Sequence, residues 1–174
     1  MDPEALLRRV DRLAAGRHAT DRVDDAVRDD PATRTAFTRV TWLLVAEFVI
    51  GAGAVAEAIA LARSGDRVSP VVWWRLVVIF GIATTLFYFV WRARLGLRWA
   101  YSRLRLFSLV FPVVAVATCL VPGLYPRWMV VEQLLFSAVL LVVRRVLSAP
   151  GLRAGYAPAA RPARVARPGR RRSP

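Results

Sequence analysis

Residues 92–105, RARLGLRWAYSRLR, carry five arginines and no acid, and a long apolar run lies on either side of them. A short basic segment between two membrane-length runs stays on the cytoplasmic face, because Arg- and Lys-rich loops are the ones that are not translocated. With this stretch inside, the rest of the chain has one threading. The apolar runs at 71–91 and 106–121 become spans entering and leaving that face. A run at 41–62 precedes them and another at 128–147 follows.

Composition agrees with that reading. The 174 residues are 56% apolar and yet carry a net charge of +14. Soluble domains rarely combine the two, whereas a polytopic membrane protein keeps its charge and its apolar side chains in different segments. All 26 basic residues are arginine, which reads as the codon bias of a GC-rich genome rather than as a selected anion grip. The expected setting is therefore a bacterial cytoplasmic membrane. Cys119 is the only cysteine and His18 the only histidine, so no disulfide, thiolate cluster or two-histidine site can form within one chain. No metal or cofactor is expected.

Residues 1–40 hold eight arginines and eight acids and read as a cytoplasmic segment. Within it, 2–15 has the pattern of a short amphipathic helix: Asp2 as N-cap, Pro3 at the first helical position, and Leu6, Leu7, Val10 and Leu13 on one stripe. A second short helical piece is expected near 20–29. No apolar signal-peptide core occurs in this segment, so the first span is expected to act as an uncleaved anchor. Asp30-Pro31 starts a new helix that runs straight into span one. That span is crowded with small residues, in the rows Ala52, Ala56, Ala60 and Ala54, Ala58, Ala62, which let helices approach closely in lipid. Pro112 is expected to kink span three. Residues 148–174, rich in Pro, Ala and Arg, lack the apolar content to fold and read as a disordered cytoplasmic tail.

Two tallies support four spans with both ends inside. Twenty-two arginines fall on the inner side, against Arg63, Arg67 and Arg127 outside. The six tryptophans sit at span ends or in the basic stretch, as aromatic belts do. The expected fold is an all-α, four-transmembrane-helix bundle spanning 41–147.

Charged residues inside spans are costly and therefore informative. Glu57, Arg75 and Glu132 share one depth near the outer surface, so the two carboxylates are expected to flank one guanidinium. That cluster reads either as a clamp that sets helix register or as a proton- or cation-handling site, since one carboxylate would be in surplus. Thr118 and Cys119 reach the same layer, and Gln133, Ser137 and Arg144 form a polar stripe on span four. Glu47 lies nearer the inner end, within reach of Arg92 or Arg144. Arg92, Arg94, Arg98, Arg103 and Arg105, with Arg170, Arg171 and Arg172 in the tail, are the expected contacts to anionic lipid headgroups.

Residues 42–51, WLLVAEFVIG, resemble the first helix of small multidrug-resistance exporters, which also have four spans and a membrane-embedded glutamate. That resemblance would make Glu47 a drug- and proton-binding carboxylate. It covers ten residues, and the later helices carry none of that family's other signatures. The chain also has no HExxH, GxSxG, CxxC or P-loop pattern. The expected role is thus non-enzymatic: a small membrane subunit or scaffold whose tails bind anionic lipid or a partner. It would act as a homo-oligomer or within a larger complex, with no specific nucleic acid. The alternative is a small ion- or proton-coupled transporter using Glu57, Arg75 and Glu132.

Overall fold

The structure is a computed structural model and describes residues 21–157. The amphipathic pattern at 2–15, His18, and the tail arginines Arg170, Arg171 and Arg172 lie outside the described residues. Six helices make up the described chain: α1 (Asp25–Asp29), α2 (Pro31–Arg63), α3 (Pro70–Arg94), α4 (Arg98–Cys119), α5 (Arg127–Leu147) and α6 (Pro150–Tyr156). Among the described residues there is no strand, only one antiparallel bridge between Arg22 and Leu97. Three helices, α2, α3 and α4, are long and apolar enough to cross a membrane.

The chain folds as a ring of long helices. Each packs on the next, and α5 returns to α2. The reason is clearest in α2. Its buried positions are Thr33, Phe37, Val40, Leu44, Glu47, Gly51, Ala54 and Ala58, spaced alternately by four and three. That is a heptad seam, which keeps one face against its neighbours along the whole helix and favours shallow, near-antiparallel crossings. Asp30 starts the helix as expected: its carboxylate accepts from the Thr33 N–H at 3.1 Å, and Pro31 occupies the first position.

Large apolar side chains also cover the outside. Trp74 is 72% exposed, Leu120 77% and Val113 60%, with many Val and Leu neighbours in the same state. Water does not tolerate such a continuous apolar surface, and lipid does.

The basic stretch is not a loop. The helix α3 runs on through Arg92 and Arg94, α4 already begins at Arg98, and only residues 95–97 turn. Arginine is a good helix former, and Trp99, Ala100, Tyr101 and Leu104 continue the buried face of α4 ahead of the membrane-length run. The turn needs Gly96, whose φ is +83°. The helix α4 passes through Pro112 unbroken.

Residues 150–156 also depart from the expected disordered tail. Pro150 opens α6, and Leu152 and Tyr156, four apart, bury their side chains. Four residues is one helical turn, enough to dock a short helix when both anchors find apolar surface. The Tyr156 ring lies 5.8 Å from Phe37 and 4.5 Å from Tyr101, and its hydroxyl donates to the Ala93 carbonyl at 2.8 Å. The helical piece expected near 20–29 appears as α1. Before it, Val23 is buried, and its N–H donates to the Gly96 carbonyl at 2.8 Å.

Candidate functional site

Arg75 and Glu132 each lie five residues past the first residue of their helix, α3 and α5. Equal depth brings them together: Arg75 Nη1 donates to Glu132 Oε2 at 3.1 Å, with side-chain exposures of 10% and 7%. The Arg75 guanidinium also lies over the Tyr125 ring, 5.1 Å from its centroid. A buried charge keeps its ionised form only with such a partner.

Glu57 does not join them. It is exposed, because the seam of α2 turns Ala54 and Ala58 inward and each residue rotates by about 100°. The inward small row is therefore the one containing Ala54 and Ala58, while Ala52, Ala56 and Ala60 face out. The expected trio is a pair, one cation with one carboxylate and no surplus charge between them.

Beside this pair on α5, Gln133 is 2% exposed. Its Nε2 donates to the Ala115 carbonyl at 2.6 Å and to Thr118 Oγ1, both on α4. A carbonyl oxygen can only accept, so the amide orientation is settled by Ala115. Gln133 Oε1 is consequently left buried with no donor, and so is Glu132 Oε1. Gln133, Thr118 and Arg75 also line a pocket of about 160 Å³ between α3 and α4. One turn further along α5, the Ser137 hydroxyl donates to the Gln133 carbonyl at 2.8 Å. Cys119 is a partly exposed free thiol.

Glu47 does not reach the arginines near the inner end. It is 2% exposed on the α2 seam, and neither carboxylate oxygen has a hydrogen-bond partner. Arg144 Nη1 instead donates to the Arg105 carbonyl at 2.9 Å, and the Arg92 guanidinium stands over the Trp91 and Tyr88 rings at 5.3 and 6.0 Å.

At the basic end, Arg92 and Arg94 close α3 while Arg98, Arg103 and Arg105 open α4. A pocket of about 450 Å³ lies there, lined by Arg28, Arg34, Arg94, Asp29, Thr33, Thr38, Phe37 and Tyr156. Asp29 ties two of its arginines, Arg28 at 3.1 Å and Arg34 at 2.9 Å. The Arg28 hydrogen bond, then that of Arg34, holds the Asp29 carboxyl below the usual carboxylate range. Burial, reinforced by the neighbouring Tyr101, pushes the Tyr156 hydroxyl up to about 12.

No family model, no curated protein and no solved structure matches this chain. The site must therefore be read from its own chemistry. Among the described residues no group of three or more His, Cys, Asp or Glu could hold a metal ion. Two features escaped sequence reasoning: Tyr125 over Arg75, and the burial of Glu47 without a partner. The first joins a loop to a helix and has no local signal. The second depends on which face of the apolar α2 becomes the seam, and packing chooses the face carrying 40, 44, 47 and 51.

Proposed function

We propose that this protein is a non-enzymatic subunit or scaffold of a bacterial cytoplasmic membrane, with four spans, both tails in the cytoplasm, and a basic inner face that binds anionic lipid or an acidic partner. In this reading α5 is the fourth span. Its 21 residues reach about 31 Å, enough for a hydrocarbon core. Its polar residues Glu132, Gln133 and Ser137 are buried, while Val131, Leu134, Leu135, Leu141 and Val142 are left for lipid.

The observation that carries the proposal is the arginine rim itself. Arg92, Arg94, Arg98, Arg103 and Arg105 are held on helix ends around a three-residue turn, beside a pocket with three guanidinium groups. Each arginine near an anionic leaflet is worth about 1 kcal/mol, so a fixed cluster discriminates strongly between lipids. The outward row Ala52, Ala56 and Ala60 suits close approach by a helix of another copy or of a larger complex. Nothing in the chain favours specific nucleic acid.

The test is native mass spectrometry of the purified protein with phosphatidylglycerol or phosphatidylcholine added at equal concentration. Retention of phosphatidylglycerol, reduced in an Arg94→Gln, Arg98→Gln double variant, is the expected result. Equal retention of both lipids overturns the reading.

A second reading is favoured by Glu47. A buried carboxyl without a donor costs stability and is kept where it exchanges a proton or cation. The alternative of a small ion- or proton-coupled transporter would then use Glu47 with Arg75 and Glu132. Proteoliposomes loaded with a pH dye and a sodium dye test it: flux lost in Glu47→Gln with the fold intact supports transport, and equal leak in both proteins removes it.

A further inference from the structure

The pocket between α3 and α4 has two unlike ends. Its walls are Ile82, Phe111, Val114 and Phe136, and its polar end is Arg75 and Gln133. At about 160 Å³ it holds roughly the volume of five waters. Water is a poor occupant of a chamber walled mainly by aliphatic and aromatic side chains, because each molecule needs two to four polar partners. An acyl or alkyl chain suits those walls.

The polar end specifies the head of such a chain. Gln133 is nine-tenths buried and more, its orientation is fixed by Ala115, and its Oε1 lacks a donor. Arg75 commits Nη1 to Glu132 and has further N–H groups to give. The missing group must therefore donate to an amide oxygen, and one that also accepts from the guanidinium fits best. A hydroxyl does both with one atom. An ionised carboxylate cannot donate to Gln133, and an ammonium cannot accept from Arg75.

We propose that this crevice binds a neutral aliphatic alcohol from the bilayer, with its hydroxyl between Arg75 and Gln133 and its chain between α3 and α4. The site is separate from the arginine rim and does not depend on that rim binding lipid. The ion pair leaves no net charge at the polar end, so a neutral head enters without stranding a counterion. The chain lies against Phe111 and Val114 and leaves the protein toward lipid between Val78 and Val114, the exposed members of the lining.

The experiment is photolabelling of the full chain in phosphatidylcholine nanodiscs with a diazirine-bearing octanol, the labelled residues being mapped by mass spectrometry. Label should concentrate on Phe111 and Val114. Octanol should compete about two- to tenfold better than octane at equal bilayer concentration, the worth of one hydrogen bond. Gln133→Leu should lower that preference, leaving only the hydrogen bond from Arg75. Because Gln133→Leu also loses its bonds to α4, Ile82→Phe provides the second variant: it fills the pocket from the wall and should remove the label at an unchanged thermal midpoint. Label spread evenly over Leu109, Val113 and Val116, equal competition by octane, or label that survives Ile82→Phe each overturns the proposal.

Discussion

The two ends of the bundle are closed by different chemistry. At the basic end the core is wide and aromatic: Phe37, Phe89, Trp99, Tyr101 and Tyr156 belong to one large cluster with the turn residue Leu97 and with Leu152 of α6. Two tyrosine hydroxyls there donate to helix-terminal carbonyls, Tyr156 to Ala93 and Tyr101 to Leu147. Such carbonyls lack intrahelical partners and must find one elsewhere when buried. At the other end the apolar cluster is small, consisting of Ala54, Ala58, Val72, Leu76 and Met129, and beside it sits the Arg75–Glu132 pair. One end is thus held by many weak contacts spread over several segments. The other rests heavily on a single charged contact, which cannot be weakened by degrees.

The largest expected effect lies at the ionic end. Glu132→Gln leaves Arg75 buried without its counterion and should cost about 3–5 kcal/mol, read as a marked fall of the thermal midpoint in detergent. The double variant Arg75→Leu, Glu132→Leu should recover most of that loss, since an apolar pair of similar volume replaces an ion pair at little cost. If the double variant is no better than Glu132→Gln alone, the pair is not what closes this end.

At the aromatic end a single deletion should be milder. Tyr156→Phe keeps the ring packing and removes one hydrogen bond to Ala93, for about 0.5–1.5 kcal/mol, because the carbonyl still accepts from the Gly96 N–H at 2.9 Å. Hydrogen exchange of α6 and α1 should report it before the spans do. A loss as large as that of Glu132→Gln would erase the contrast between the ends.

The same tyrosine predicts a pH effect. Its hydroxyl is raised from an ordinary value of 10.0 to about 12. The stabilisation is therefore complete below about pH 10 and is lost as pH climbs through about 12. Tyrosinate absorbance should show late titration, and Tyr156→Phe should remove part of it. Titration of every tyrosine near 10 would mean that α6 is not docked.

The smallest effect belongs to Glu57. Exposed and outside the pair, it should tolerate Gln within about 0.5 kcal/mol. A fall comparable to that of Glu132→Gln would return it to the cluster.

These contrasts mark what could be read from the chain. Depth along the membrane normal is a one-dimensional quantity: apolar runs and a rise of about 1.5 Å per residue give it, and Arg75 and Glu132 meet as their depths require. Azimuth is different. Whether Glu57 or Glu47 faces inward depends on which of several stripes becomes the seam, and α2 is apolar enough all round that its composition does not choose. Short segments are harder still, since α6 has too few residues to be helical alone and exists because Phe37, Tyr101 and Ala93 receive Tyr156.

By itself, then, the sequence determined that α2, α3 and α4 are long and apolar enough to cross a membrane, and where charge collects, because hydropathy and charge act on each segment independently of its neighbours. Only the tertiary structure decided that Arg75 has one carboxylate partner rather than two, that Glu47 is buried without one, that the basic stretch is two helix ends, and that Tyr156 closes the aromatic core. Each of these depends on which surfaces meet, and packing chooses that through contacts between residues far apart in the chain.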